Sequence, residues 1–210
     1  GGSHRQAARQ IVVAGHSVEE FVFARVDHAV LGKGLIAVVI EGNAEPHVLA
    51  VGRVLALDHQ IHEELCGDKV EILKTEDSDV VILADGMGSG VKANILSTLT
   101  TRILGTMLKN GETIEDCVET IAMTLPICKV RQVAYSTFAI LQIFRDGRAY
   151  LVEYDTPACI VIRDGQKLDV EHTERELSGK IIREYRFNIQ EDDYFVMMSD
   201  GVTHAGVGGL

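Results

Sequence analysis

The chain has 210 residues, 46% of them hydrophobic, and its Lys+Arg 20 against Asp+Glu 31 give a formal net charge of −11. That length buries a real core for one domain, or for one domain with an appendage. The acidic balance argues against a nucleic-acid binder, which needs a basic face, and no apolar run reaches the roughly 18 residues of a membrane span.

Residues 1–4 (Gly-Gly-Ser-His) read as the remnant of an expression tag and are set aside. No charged-then-apolar signal segment follows them. A helix is predicted over 17–25, because Ser17 followed by Glu19 and Glu20 resembles a helix start. Strands are predicted over 35–41 and 48–57, with the turn residues of 42–46 between them. This segment, 5–57, carries no recognisable chemistry and reads either as early strands or as a separate appendage.

From residue 58 to 210 the pattern is sharper. A strand is predicted over 69–73, a polar turn over 75–78, and a continuous apolar strand over 80–84, the mark of burial on both faces. It runs into Asp85-Gly86-Met87-Gly88-Ser89-Gly90. A long helix over 91–109 follows, with Val91, Ile95, Leu99, Ile103 and Met107 spaced as a buried stripe and Leu96, Leu104 and Leu108 widening it. Thr113 and Asp116 resemble a capping box opening a second helix, which buries Ile114, Cys117, Val118, Ile121 and Leu125 and ends near Pro126. Hairpins are predicted at Asp146-Gly147 and Asp164-Gly165, since Asp-Gly between apolar runs suits a tight turn. Further strands are predicted over 180–188 and 194–199.

Cys66, Cys117, Cys128 and Cys159 show no C-x-x-C spacing, so neither a zinc site nor a disulfide framework is expected; they read as reduced thiols of a cytoplasmic protein. The eight histidines are scattered, without an H-E-x-x-H frame. Two consecutive helices followed by hairpins do not alternate as a parallel sheet would. They predict an α+β fold: an antiparallel β-sandwich flanked by helices, α-β-β-α in layers.

Two strand ends are similar. Residues 80–84 end on Asp85-Gly86 and residues 194–199 end on Asp200-Gly201. A carboxylate at the rim of a core is costly without a compensating cation or donors, and Gly leaves its carbonyl open to an inward ligand. Hard oxygen donors of this kind suit Mg²⁺ or Mn²⁺. Either Asp-Gly alone is more often a plain turn; two at the ends of buried strands shift the balance toward a metal centre. The glycines of 86–90 also raise a phosphate-binding loop, but they spell neither G-x-x-x-x-G-K-[ST] nor G-x-G-x-x-G.

Cys66-Gly67-Asp68, Ala84-Asp85-Gly86-Met87-Gly88-Ser89-Gly90 with Ala93 beyond, Ser136-Thr137-Phe138, and Met198-Ser199-Asp200-Gly201-Val202 occur in that order. Together they resemble the type 2C (PPM) metal-dependent serine/threonine protein phosphatases, in the bacterial branch typified by stage II sporulation protein E. The resemblance runs from about Glu63 to the end of the chain. It implies that Asp85 bridges two Mn²⁺ or Mg²⁺ ions, that Gly86 offers a carbonyl ligand, and that Asp200 and Asp68 complete the site. The implied reaction is hydrolysis of phosphoserine or phosphothreonine on a protein partner, such as an anti-anti-sigma type regulator, by a metal-activated water. It also implies a structural part for Thr156-Pro157.

Two departures stand out. The family pattern has a further metal-binding Asp well after the S-D-G motif, and residues 202–210 contain no Asp. The domain therefore reads as shortened and weakened in metal binding, which keeps a non-catalytic regulatory or binding module of the same fold as the alternative. Nor does any residue match the phosphate-gripping Arg of the eukaryotic relatives; Arg25, Arg102 and Arg145 read as surface residues. His204 reads as a surface histidine, and Ser89 and Lys92 stand where a helix start could meet a phosphate.

Overall fold

An apolar strand too long to expose on either face needs partners on both edges and cover on both sides, and residues 78–86 receive all four. The computed structural model describes residues 11–12, 23–24, 37–41, 55–56, 67–88, 90–124, 127–128, 133–134, 136–190 and 193–200. Its strands are β1 (Ile11–Val12), β2 (Phe23–Ala24), β3 (Ala37–Glu41), β4 (Leu55–Ala56), β5 (Asp68–Lys74) and β6 (Ser78–Gly86). Then come helices α1 (Gly90–Lys109) and α2 (Ile114–Thr124), followed by β7 (Ile127–Cys128), β8 (Val133–Ala134), β9 (Ser136–Phe144) and β10 (Arg148–Tyr154). The last strands are β11 (Ile160–Arg163), β12 (Gln166–Leu168), β13 (His172–Leu177), β14 (Lys180–Asn188) and β15 (Tyr194–Met198).

Two antiparallel sheets carry the fold. One has six strands in the order β13-β14-β10-β9-β6-β5, the other five in the order β12-β11-β15-β3-β4. Val81, Leu83, Leu141 and Leu151 of the first meet Val161, Phe195 and Met197 of the second in one core cluster. The alternate residues Val80, Ile82, Ile140 and Val152 point the other way, into a second core with Leu104, Leu108, Ile114, Cys117, Val118 and Ile121 of the helices. The expected α+β sandwich of antiparallel sheets is therefore the fold, with both described helices on the six-stranded sheet. β3 hydrogen-bonds along β15, pairing Ala37 with Met198 and Glu41 with Tyr194.

Local chemistry accounts for several boundaries. At the start of α2 the Thr113 hydroxyl accepts from the Asp116 backbone N–H (3.1 Å), the first bond of the expected capping box, and donates to the Asp116 carboxylate (2.7 Å), so the second bond is made by the hydroxyl. Between β11 and β12 both Asp164 (φ 52°) and Gly165 (φ 72°) are left-handed, as a two-residue primed turn requires.

The expected stripe of α1 is only partly the buried one. Val91, Ile95 and Leu99 are exposed, whereas Ala93, Ser97, Thr100, Thr101, Leu104, Gly105 and Leu108 face the sheet. Both sets have helical spacing. The smaller set wins because its hydroxyls bond their own helix: Ser97 donates to the Asn94 carbonyl (3.1 Å), Thr100 to Leu96 (2.9 Å) and Thr101 to Thr98 (3.1 Å). Bonded this way they bury at little cost and let the helix lie close to the strands.

Other differences are smaller. Phe23–Ala24, the end of the helix expected over 17–25, is strand, paired with β1. Polar β13 (HTEREL) lacks the apolar alternation that marks a strand; it is held as the sheet's edge by pairing along β14. Leu125, Pro126 and the turn at 42–46 lie outside the described residues.

Candidate metal centre

The hairpin of β5 and β6 sets the first half of the site. Its register places Asp68 directly across from Asp85, and side chains opposite one another in an antiparallel pair share a face. β15 arrives from the other sheet, and Asp200 follows it after Ser199. The site thus lies where the ends of the two sheets meet. The carboxyl group of Asp85 shares hydrogen bonds with those of both Asp68 and Asp200.

The surroundings of Asp85 disfavour its charged form. Burial, then the charges of Asp68 and Asp200 and the hydrogen bonds to them, push the Asp85 carboxyl from its ordinary 3.8 up to about 8. Asp68 is 6% exposed and Asp200 is exposed, so the cluster opens to solvent on the Asp200 side.

Fixed polar groups orient the cluster. The buried Ser199 hydroxyl donates to Asp68 Oδ2 at 2.8 Å. Ser136, fully buried and paired across from Gly86, donates its hydroxyl to the Asp85 backbone carbonyl at 3.0 Å. The Gly86 N–H donates to the Gly67 carbonyl at 3.0 Å, tying the two strand ends together. A Cβ on Gly86 would lie 2.0 Å from the Ala93 carbonyl oxygen, so only glycine lets this turn sit under the first turn of α1. Sequence reasoning quoted both serines inside motifs and gave them no task. The available signal was a hydroxyl residue on a buried strand, where it needs a partner.

The donor set fits a hard divalent cation. It offers carboxylate oxygens and backbone carbonyls, with no sulfur or imidazole among Asp68, Asp85, Gly86 and Asp200. A cation would also relieve the like-charge contact that raises Asp85. Among the described residues no three Asp, Glu, His or Cys side chains are spaced as a finished ligand set.

The raised Asp85 value has a consequence for stability. The folded state holds this proton more tightly than the unfolded chain, so its stabilising effect is complete below about 4 and is lost as pH rises through about 8. With divalent ions chelated, the urea midpoint is expected to fall more steeply from pH 5 to pH 8.5 than it does in Asp85→Asn. Parallel slopes for the two proteins would remove the carboxyl cluster as the cause.

Of the other residues named from sequence, Lys92 is exposed in the first turn of α1. Arg102 and Arg145 lie at the surface beside Glu71 (3.8 Å) and Asp79 (3.6 Å). Thr156 is buried, and its carbonyl accepts from Arg183 at 2.6 Å. Arg183 also pairs with the buried Glu153 at 2.8 Å, so the segment after β10 is held structurally. Cys117 and Cys159 are free thiols. Ser89, Gly201, His204 and Arg25 lie outside the described residues. A cleft of about 1100 Å³, lined by Leu108, Gly111, Tyr150 and Arg186 among others, is formed by the other end of β6 and does not include the aspartates. No described helix is long and apolar enough to cross a membrane.

Comparison with known proteins agrees with this architecture. The PP2C phosphatase domain of SpoIIE from Bacillus subtilis, solved with a fragment of its regulatory domain, superposes with a TM-score of 0.61 at 16% identity, over 84% of this chain and 49% of that one. This chain thus spans about half the length of that relative. RsbX in complex with magnesium gives 0.52 at 20% identity, covering 85% of this chain and 84% of that one. The RsbU and RsbW domains of Rv1364c from Mycobacterium tuberculosis give 0.52 at 15%, covering 80% and 45%. At these identities the likeness is one of fold. No curated protein sequence matches the chain. The profile of the family described as Stage II sporulation protein E (SpoIIE) matches residues 75–209, well over half of the sequence and inclusive of Asp85 and Asp200, and the chain therefore belongs to the SpoIIE family.

Proposed function

We propose that this domain hydrolyses phosphoserine or phosphothreonine on a protein partner, with Mn²⁺ or Mg²⁺ held by Asp68, Asp85, the Gly86 carbonyl and Asp200. The observation that carries the proposal is the meeting of three carboxyl groups at the junction of two sheets, with Asp85 pushed up to about 8 for want of a compensating charge. Divalent ions bound there would neutralise phosphoryl oxygens and acidify water, which is how such centres promote in-line displacement at phosphorus. Asp85, central among the three, would contact both ions. Ser199 would hold Asp68 at a fixed rotamer, and Ser136 would fix the backbone at Asp85–Gly86 so that both oxygens stay aimed. Asp200, on the exposed side, would stand nearest the entering substrate. Family membership supports the phosphatase class, and the magnesium complex of RsbX supports the choice of metal.

The proposed partner class is the one the sequence resemblance implies. An anti-anti-sigma type regulator phosphorylated on serine is the proposed substrate, by analogy with proteins whose domains sit beside RsbW. The test is phosphate release from a phosphoserine peptide at pH 8 with Mn²⁺, and again after chelation. Release that needs the metal supports the reading. Mn²⁺ that binds without any release from peptide or p-nitrophenyl phosphate would instead favour the non-catalytic module.

A further inference from the structure

Among the described residues the large apolar side chains left exposed are Ile72, Val91, Ile95, Leu99, Met123 and Ile181. Three of these form one row on α1 at four-residue spacing: Val91 is 59% exposed, Ile95 51% and Leu99 49%. Isolated exposed apolar residues need no explanation, but a contiguous row marks a contact surface. Two observations define what fits it.

The first is position. β6 ends on Asp85 and Gly86, α1 begins at Gly90, and Gly86 sits directly beneath the Ala93 backbone. A protein that brings a phosphorylated residue to Asp85 would come within reach of the start of α1, where Val91 and Lys92 are exposed. The second is charge. The 20 residues of α1 include Lys92, Arg102 and Lys109 and no Asp or Glu, in a chain whose net charge is −11. Lys92 borders the start of the row, and Arg102 continues it past Leu99. Glu71 approaches Arg102 (3.8 Å) and Lys109 (3.6 Å), yet their side chains stay 72% and 55% exposed.

We propose that the Val91–Ile95–Leu99 row, with Lys92 and Arg102 at its ends, is the docking surface for the phosphoprotein substrate, and that it takes an apolar patch bordered by acidic side chains next to the phosphorylated residue. The proposal rests on the phosphatase reading above. Apolar contact at the centre supplies the affinity, and the cationic rim orients a partner that is itself acidic. The domain then selects its substrate by surface as well as by phosphate.

The experiment compares wild type with Ile95→Glu, Ile95→Lys and Leu99→Ser in Mn²⁺, on two substrates. One is p-nitrophenyl phosphate, too small to touch the row; the other is an anti-anti-sigma type domain phosphorylated on serine. Ile95→Glu is expected to lower kcat/KM on the phosphorylated domain about tenfold or more, chiefly through KM, the loss from one central interface residue. Leu99→Ser should lose less and Ile95→Lys least, because a cation suits an acidic rim, while p-nitrophenyl phosphate turnover stays unchanged in all three. An unchanged KM in Ile95→Glu overturns the proposal. So does an equal loss on both substrates, which would make the row structural. A fall from dimer to monomer in Ile95→Glu by light scattering also overturns it, because a second copy of the chain would then own the row. A wild type that turns over p-nitrophenyl phosphate, but prefers the phosphorylated domain no more than a phosphoserine peptide, sinks the docking surface alone. A wild type inert on all of these sinks the phosphatase reading with it.

Discussion

Asp85→Asn is expected to eliminate saturable Mn²⁺ binding in calorimetry and, with it, metal-dependent phosphate release. Asp85 is the carboxylate in contact with both other members of the cluster, so its loss removes the group best placed to bridge ions. Residues that merely orient a metal ligand are already worth about 10–100-fold in affinity, so a central ligand should cost more than about 100-fold. The fold should survive. Neutral Asn keeps the shape and a hydrogen-bonding group while removing one of three crowded carboxylates, so the metal-free variant should be more resistant to urea at pH 8.5 than the parent. A stabilised protein that no longer binds metal is the signature of a functional carboxylate, whereas simple damage would lower both properties. Wild-type affinity in Asp85→Asn would remove Asp85 from the site, and Asp68→Asn and Asp200→Asn would then show which carboxylates hold the ion, if any do.

Asp85 and Asp200 were legible as individuals because each closes a buried strand with Gly after it, a local pattern, whereas Asp68, which opens β5, stood out only through the family resemblance. Their convergence was legible only through the family resemblance, since it depends on the β5–β6 register and on β15 arriving from the other sheet. Those are long-range facts that single-sequence periodicity does not carry. The layered α+β fold was legible for a related reason: buried strands, hairpin turns and two consecutive helices leave few arrangements. The inward face of α1 was misread because apolar size was taken as the mark of burial. Ser97, Thr100 and Thr101 bond their own helix and so fit against the sheet more closely than Val91, Ile95 and Leu99 could. Edge strand β13 was missed on the same assumption, since an edge needs no apolar face to hydrogen-bond its neighbour. Ser136 and Ser199 went unassigned because their partners are 51 and 131 residues away in the chain.

Gly86→Ala should disable the same site by a different route, through the backbone. The added methyl would lie 2.0 Å from the Ala93 carbonyl oxygen and 2.7 Å from its carbon, both main-chain atoms that no rotamer change can move. Either α1 must shift or the end of β6 must twist, and the second would disturb the Gly86 N–H bond to Gly67 and the Ser136 bond at Asp85. Overpacking of this kind costs about 1–3 kcal/mol or more, which in a protein of this size lowers Tm by several degrees, at about 2–4 °C per kcal/mol. Mn²⁺ affinity should fall in parallel, although no carboxylate has been touched. Gly67→Ala provides the contrast, since the tight contact of its methyl would be with the Ala93 side chain, at 3.1 Å, and the Gly86 carbonyl oxygen at 3.4 Å lies at ordinary contact distance. In an Ala93→Gly background, which itself carries the modest cost of Gly in a helix, Gly67→Ala should regain Mn²⁺ binding and Gly86→Ala should not. Rescue of both would place the conflict at the Ala93 methyl and refute a backbone clash. Rescue of only the first would locate the constraint where the strand carrying Asp85 passes under α1, and so explain why that position tolerates no side chain.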